Sequence, residues 1–306
     1  MKGVFAMSFD NAYEAITETT DSPDTRWAFG TGFSDPLAGV DTTVPEAVDP
    51  AELAEYCLML GDDALILSHR LQEWCTNAPE LEDEVAIANI ALDLLGQARL
   101  LLTRAGAAEE AATGSGRGED ELAFFRAEHE FRNVRLAELP RGDFGEFVAR
   151  LLVFSTWRLA VFQRLRTSRD PVLAAVADKA VKELTYHRDY AAQWAVRLGD
   201  GTEFSHERMR EGLESVWPYV PELFTAHEVE SRMAAAGVGV DPSEARAEFD
   251  DVLTEVLRAA TLEFPDLPGV PGVSGRSGRH GVHTEALGYL LAELQSVARA
   301  HPDATW

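Results

Sequence analysis

Glu183 and His187 on one stretch, and Asp93 on another, are the acid and imidazole groups whose spacing comes nearest to metal chemistry. A carboxylate-bridged dimetal centre inside a helical bundle takes one carboxylate from each of two helices. It takes a Glu-x-x-His pair from each of the other two. The i, i+3 spacing sets both members of a pair on one helical face, and hard oxygens with imidazoles suit iron or manganese. The stretch Asp93-Leu94-Leu95-Gly96-Gln97-Ala98-Arg99 has the surroundings of such a helix, which would commonly read D-E-x-G-H-A-R. Its ligand positions hold Leu94 and Gln97. In Lys182-Glu183-Leu184-Thr185-Tyr186-His187 the pair falls at 184 and 187, and only His187 is a ligand type. Glu183 and His187 share a face at i, i+4, but two ligands do not make a site. His187 is therefore read as a core histidine, with Gln97 as its expected partner across the bundle.

Other chemistries find less. His280 and His283 flank Gly281 at a helix start, where capping or loop contacts are expected. Ser155 has no histidine near it in sequence to complete a triad. The stretch from Gly269 to Gly281 lacks the strand and the Lys-Ser/Thr of a phosphate loop. Cys57 and Cys75 fit neither a zinc motif nor a disulfide framework and are read as reduced thiols.

The elements that must position these groups are helices. The first runs from about Pro50 to Trp74, with Leu53, Tyr56, Leu60, Ala64, Leu67, Leu71 and Trp74 alternating at three and four. Asp62, Asp63 and Glu73 fall off that stripe. A second helix, about Glu80 to Ala111, opens with acidic residues at the positive end of its dipole and is apolar almost all round from Val85 to Leu95. Its stripe through Ile87, Ile90, Leu94 and Gln97 turns both ligand positions inward. A less regular helix covers about Glu119 to Ala137. A third long helix, about Asp143 to Thr167, has no acid between Glu146 and Asp170. A fourth begins after Ser168-Arg169-Asp170-Pro171 and ends at Gly199. Segments at about Ser205 to Ala236, broken near Pro218 and Pro221, and Pro242 to Leu262 come next. A Pro/Gly loop then leads to a last helix, His283 to Ala300. The fold class is all-α: a ferritin-like four-helix bundle with additional peripheral helices over residues 50–306. Residues 1–49, rich in Thr, Asp, Gly and Pro, are read as a flexible N-terminal extension.

The net charge is -25, from 27 basic and 52 acidic residues. Such a surface repels nucleic acid and anionic membranes, so neither is an expected partner. The most apolar long stretch, Phe147 to Leu165, carries Arg150, Arg158 and Arg164, which argues against a membrane span. A cytoplasmic protein is expected.

The segment LGDDALILSHRLQEWCTNAPELEDEVAIANIALDLLGQAR, Leu60 to Arg99, resembles the C-subunit family of ring-1,2-phenylacetyl-CoA epoxidase, the phenylacetate-degradation oxygenase. SRDPVLAAVADKAVKELTYH from Ser168, LGDGT from Leu198 and GRHGVHTEALGYLLAEL from Gly278 add to it, as does the C-terminal Trp306. The resemblance covers about Glu52 to Trp306. It implies a structural, non-catalytic subunit that binds no cofactor and contributes no catalytic or metal-binding residue. Its partner would be the catalytic A subunit, which holds the di-iron site and binds phenylacetyl-CoA, in a heterodimer that assembles further. A separate reductase subunit would deliver electrons from NADPH, and one oxygen atom of O₂ would be placed across the aromatic ring as an epoxide. Arg70, Trp74 and Arg99, on or beside the most family-like helices, are the candidate partner-interface residues.

Two other readings stay open at this point. One is an active ferritin-like di-iron or di-manganese oxygenase that recruits carboxylates such as Asp93 or Glu183. The other is an unrelated helical scaffold that shares only the bundle.

Overall fold

A computed structural model describes residues 37–304. The chain divides into two units, Met1–Ala38 and Gly39–Trp306, and the helices among the described residues belong to the second. Residues 39–49, expected as part of the flexible extension, belong to this unit too. Residues 1–36 of that extension lie outside the described residues.

Four helices form the bundle: α1 (Pro50–Gln72), α2 (Leu81–Thr113), α5 (Phe144–Leu165) and α6 (Pro171–Gly199). Between them lie the short α3 (Glu119–Phe124) and α4 (Arg135–Glu138). After them come α7 (Glu203–Val216), α8 (Glu228–Ala235), α9 (Arg246–Ala259) and α10 (Glu285–Ala300). Tight 3₁₀ turns cover Trp217–Phe224 and Pro242–Ala245, so the break expected near Pro218 and Pro221 is present.

Each of three long helices starts where its sequence supplies a cap. The Asp49 carboxylate accepts from the Ala51 amide ahead of Pro50. Asp143 and Glu146 cap each other's amides at the start of α5. Asp170 accepts from the Leu173 amide ahead of Pro171. Side-chain caps of this kind satisfy amides that the first turn leaves open. Gly114, at φ 80°, ends α2 in the left-handed conformation.

Pairings across the bundle fix its antiparallel course. Ser68 on α1 donates to the Ala91 carbonyl on α2. Trp74, just past the end of α1, packs on Phe144 and Phe147 at the start of α5. Phe144 also meets Trp194 at the end of α6. By length and composition α2 is apolar enough to cross a membrane; here it packs on α1 and α6. Helix α7 lies against α5 at Gly145 and Gly212: a Cβ on Gly212 would sit 2.5 Å from the Gly145 carbonyl carbon, so neither position admits a side chain without a shift.

The 119–137 segment, expected as one helix, is two short helices with an extended stretch between them. Its backbone is held from α1 instead. Asp62 accepts from the Arg132 amide at 2.8 Å and Asp63 from the Val134 amide at 2.8 Å. This corrects the placement of these carboxylates off the packed face, because both are completely buried. The Arg126 guanidinium pairs with Asp62, and Arg279 pairs with Asp63 through two bonds of 2.9 Å. Buried charges are tolerated when paired and hydrogen-bonded in this way.

Candidate functional site: the closed centre of the bundle

Leu94, Gln97, Leu184 and His187 all face the interior and are at most 1% exposed. The stripe that placed the ligand positions inward is therefore present. Their partners differ from expectation in one respect. His187 does not pair with Gln97; its Nε2 lies 3.0 Å from the Asp93 carboxylate at the α2–α6 seam. The pairing is register-driven. Asp93 and Gln97 are one turn apart on α2, His187 and Glu183 one turn apart on α6, and the antiparallel helices match them in order. Gln97 accordingly donates to the Glu183 carboxylate at 3.0 Å. Glu183 is also held by Lys179 at 3.0 Å, so Glu183 and His187 are each committed to different groups.

The group that completes the centre stands in the sequence only as an interruption of an apolar stretch. Arg158, on α5, is completely buried. Its Nε donates to the Gln97 Oε1 at 3.1 Å and its Nη2 to the Leu60 carbonyl on α1 at 3.2 Å. Its Nη1 lies 3.9 Å from the Asp63 carboxylate. The Phe162 ring covers the guanidinium at 4.3 Å, an arrangement that favours a cation. Burial pulls the Arg158 pKa down to about 10, with Asp63 opposing, so the group is charged at neutral pH. The signal in the sequence is spacing: Leu151, Phe154, Arg158, Phe162 and Leu165 recur at three and four, which places Arg158 on the buried stripe.

A dimetal group does not fit these residues. Two of the four expected positions are leucines. The third is an amide whose oxygen is already bound by a cation, and a second cation there would meet like charge. Among the described residues no three His, Cys, Asp or Glu side chains gather as a metal site would require.

The remaining candidates resolve simply. His283 Nδ1 lies 2.8 Å from the Glu138 carboxylate and its Nε2 3.1 Å from the Phe131 carbonyl. His280 accepts from the Ser277 amide at 3.3 Å. Ser155 donates to the Leu151 carbonyl. Cys57 is buried, where burial pushes its thiol up, and Cys75 is exposed.

Of the three candidate interface residues, two are turned into this chain. Arg70 donates to the Glu138 carbonyl at 3.0 Å and the Ala286 carbonyl at 2.8 Å. It is 7% exposed, at the edge of a cavity of about 340 Å³ that it shares with Arg141 and Tyr289. Trp74 is 4% exposed against the two phenylalanines. Arg99 is exposed and paired with Glu119 at 2.7 Å. It continues a line of exposed apolar residues on the outer side of α2, Leu81, Val85 and Leu92, at spacings that share one helical face.

Fold and centre together define an all-α, ferritin-like bundle whose interior holds Leu94, Leu184, Gln97, His187 and the buried Arg158. The family model described as "Phenylacetic acid catabolic protein" matches residues 38–306. A relative from Escherichia coli (strain K12), the C subunit of 1,2-phenylacetyl-CoA epoxidase, is 43% identical over 255 residues, covering 83% of this chain and 99% of the relative. The chain belongs to the phenylacetic acid catabolic protein family.

Proposed function

We propose that this chain is a structural, non-catalytic subunit of a multicomponent ring-1,2-phenylacetyl-CoA epoxidase in phenylacetate catabolism, supporting a separate di-iron catalytic A subunit. The name of the E. coli relative, matched over nearly its whole length, supports a subunit role. The observation that carries the non-catalytic part is the buried Arg158 guanidinium bound to Gln97, in an interior where Leu94 and Leu184 are also buried.

The proposed work is mechanical. A rigid second bundle covers apolar helix faces of the catalytic one and holds its ligand-bearing helices in place. Leu81, Val85 and Leu92, at 70%, 55% and 59% exposed, are the groups on α2 that such contact would bury, with Arg99 at their end. A cytoplasmic location and an indirect link to a reductase subunit belong to the same proposal.

Co-expression with a candidate catalytic subunit tests it. The two chains are expected to elute together through size exclusion, and Leu92→Asp to separate them. A catalytic subunit that is isolated fully active without this chain would overturn the reading.

A further inference from the structure

The centre of the bundle has a feature that a mere loss of ligands does not require: one buried cation on α5 is bound from α1 and α2 and is linked to α6 through Gln97. Helix α1 supplies the Leu60 carbonyl and the Asp63 carboxylate, α2 supplies Gln97, and α5 supplies Arg158 itself. Helix α6 joins through Glu183, which accepts from the other end of the Gln97 amide. The amide is oriented by its two neighbours: its oxygen faces the guanidinium and its NH₂ faces the carboxylate. Neither a leucine nor a carboxylate at 97 makes both bonds. The order is Arg158 cation, Gln97 dipole, Glu183 anion, with Lys179 outside.

We infer that Arg158 is a built-in cation that ties the four helices together at the place where a bound metal ties them in a dimetal bundle, and that its charge closes this centre to metal ions. The inference concerns this chain's own residues and stands whether or not the partner assignment holds. A metal draws its ligands inward by charge and joins separate helices through one centre. The guanidinium does both with fixed directional donors, cannot dissociate, and needs no loading step. Its desolvation is offset in part by Asp63, by the two acceptor bonds and by the Phe162 face.

The test uses the full-length chain with Gln97→Glu and Gln97→Leu, each made with Arg158 present and with Arg158→Met, read by thermal melting with and without Mn(II). With Arg158 in place, Gln97→Glu is expected to melt at least about 5 °C above Gln97→Leu, because the new carboxylate meets a cation. Manganese is expected to leave both unchanged. In the Arg158→Met background the order is expected to reverse, and Mn(II) to raise the melting temperature of the Gln97→Glu chain. The inference is overturned if Gln97→Glu melts at or below Gln97→Leu with Arg158 present, or if Mn(II) stabilises Gln97→Glu in that background. Both readings need only the Arg158 background, so they hold even if Arg158→Met does not fold.

Discussion

His187 Nε2 lies 3.0 Å from Oδ2 of Asp93, one residue before Leu94 on α2. The histidine that the ligand pattern retains is thus engaged at the rim of the α2–α6 seam, while the centre is held by Arg158 and Gln97. His187 is a bridge between two helices. Replacing it with Ala is expected to cost about 1–3 kcal/mol, the range for leaving a buried polar contact unmade. Urea unfolding of the purified chain measures this; an unchanged midpoint would remove His187 from the account.

Asp62 is the second structural pin. It accepts from the Arg132 amide and pairs with Arg126, and both charged side chains are buried. Asp62→Ala leaves Arg126 uncompensated, and the loss is expected at about 3–5 kcal/mol. Hydrogen exchange should localise the damage to residues 125–134, since their backbone is what Asp62 holds.

His283 gives the fold a pH dependence. Burial opposes its charge, but the hydrogen bond and charge of Glu138 outweigh that and raise its pKa. A raised folded value means that its contribution is complete below the unfolded pKa of about 6.5 and is lost as pH rises through the folded value. The stability gap between the native chain and Glu138→Gln is expected to be wider near about pH 6 than near about pH 9. A gap that is flat with pH would contradict the pairing.

Trp74 and Arg99 separate folding from association. Trp74→Ala removes the ring packed on Phe144 and Phe147 and is expected to destabilise the chain by about 3–5 kcal/mol. Arg99→Glu breaks only an exposed pair with Glu119 and is expected to shift stability by no more than about 0.5 kcal/mol. It should nevertheless weaken co-purification with the proposed catalytic subunit, measured as the fraction of partner retained on a tagged chain.

These residues also show how far the sequence could be read. All four long helices are legible in the sequence from their apolar faces, and three of them also start at a local side-chain cap, Asp49, Asp143 and Asp170. The inward facing of Leu94, Gln97 and Leu184 followed from the same periodicity. Asp62 and Asp63 were misplaced because what permits their burial comes from Arg126 and Arg279, 64 and 216 residues along the chain. No local pattern announces such a partner. The 119–137 segment was misjudged for the same reason, since its extended part is specified by carboxylates on α1. Arg158 was visible by its spacing, but an arginine on an apolar stripe reads as an interruption until its acceptors on α1 and α2 are known.

The proposed role, supporting metal chemistry without holding the metal, is tested by iron analysis of the co-expressed pair after the chains are separated without chelator. Iron near stoichiometric is expected in the proposed catalytic subunit and none above background in this chain, purified alone or from the pair. Stoichiometric iron in this chain on its own would contradict it.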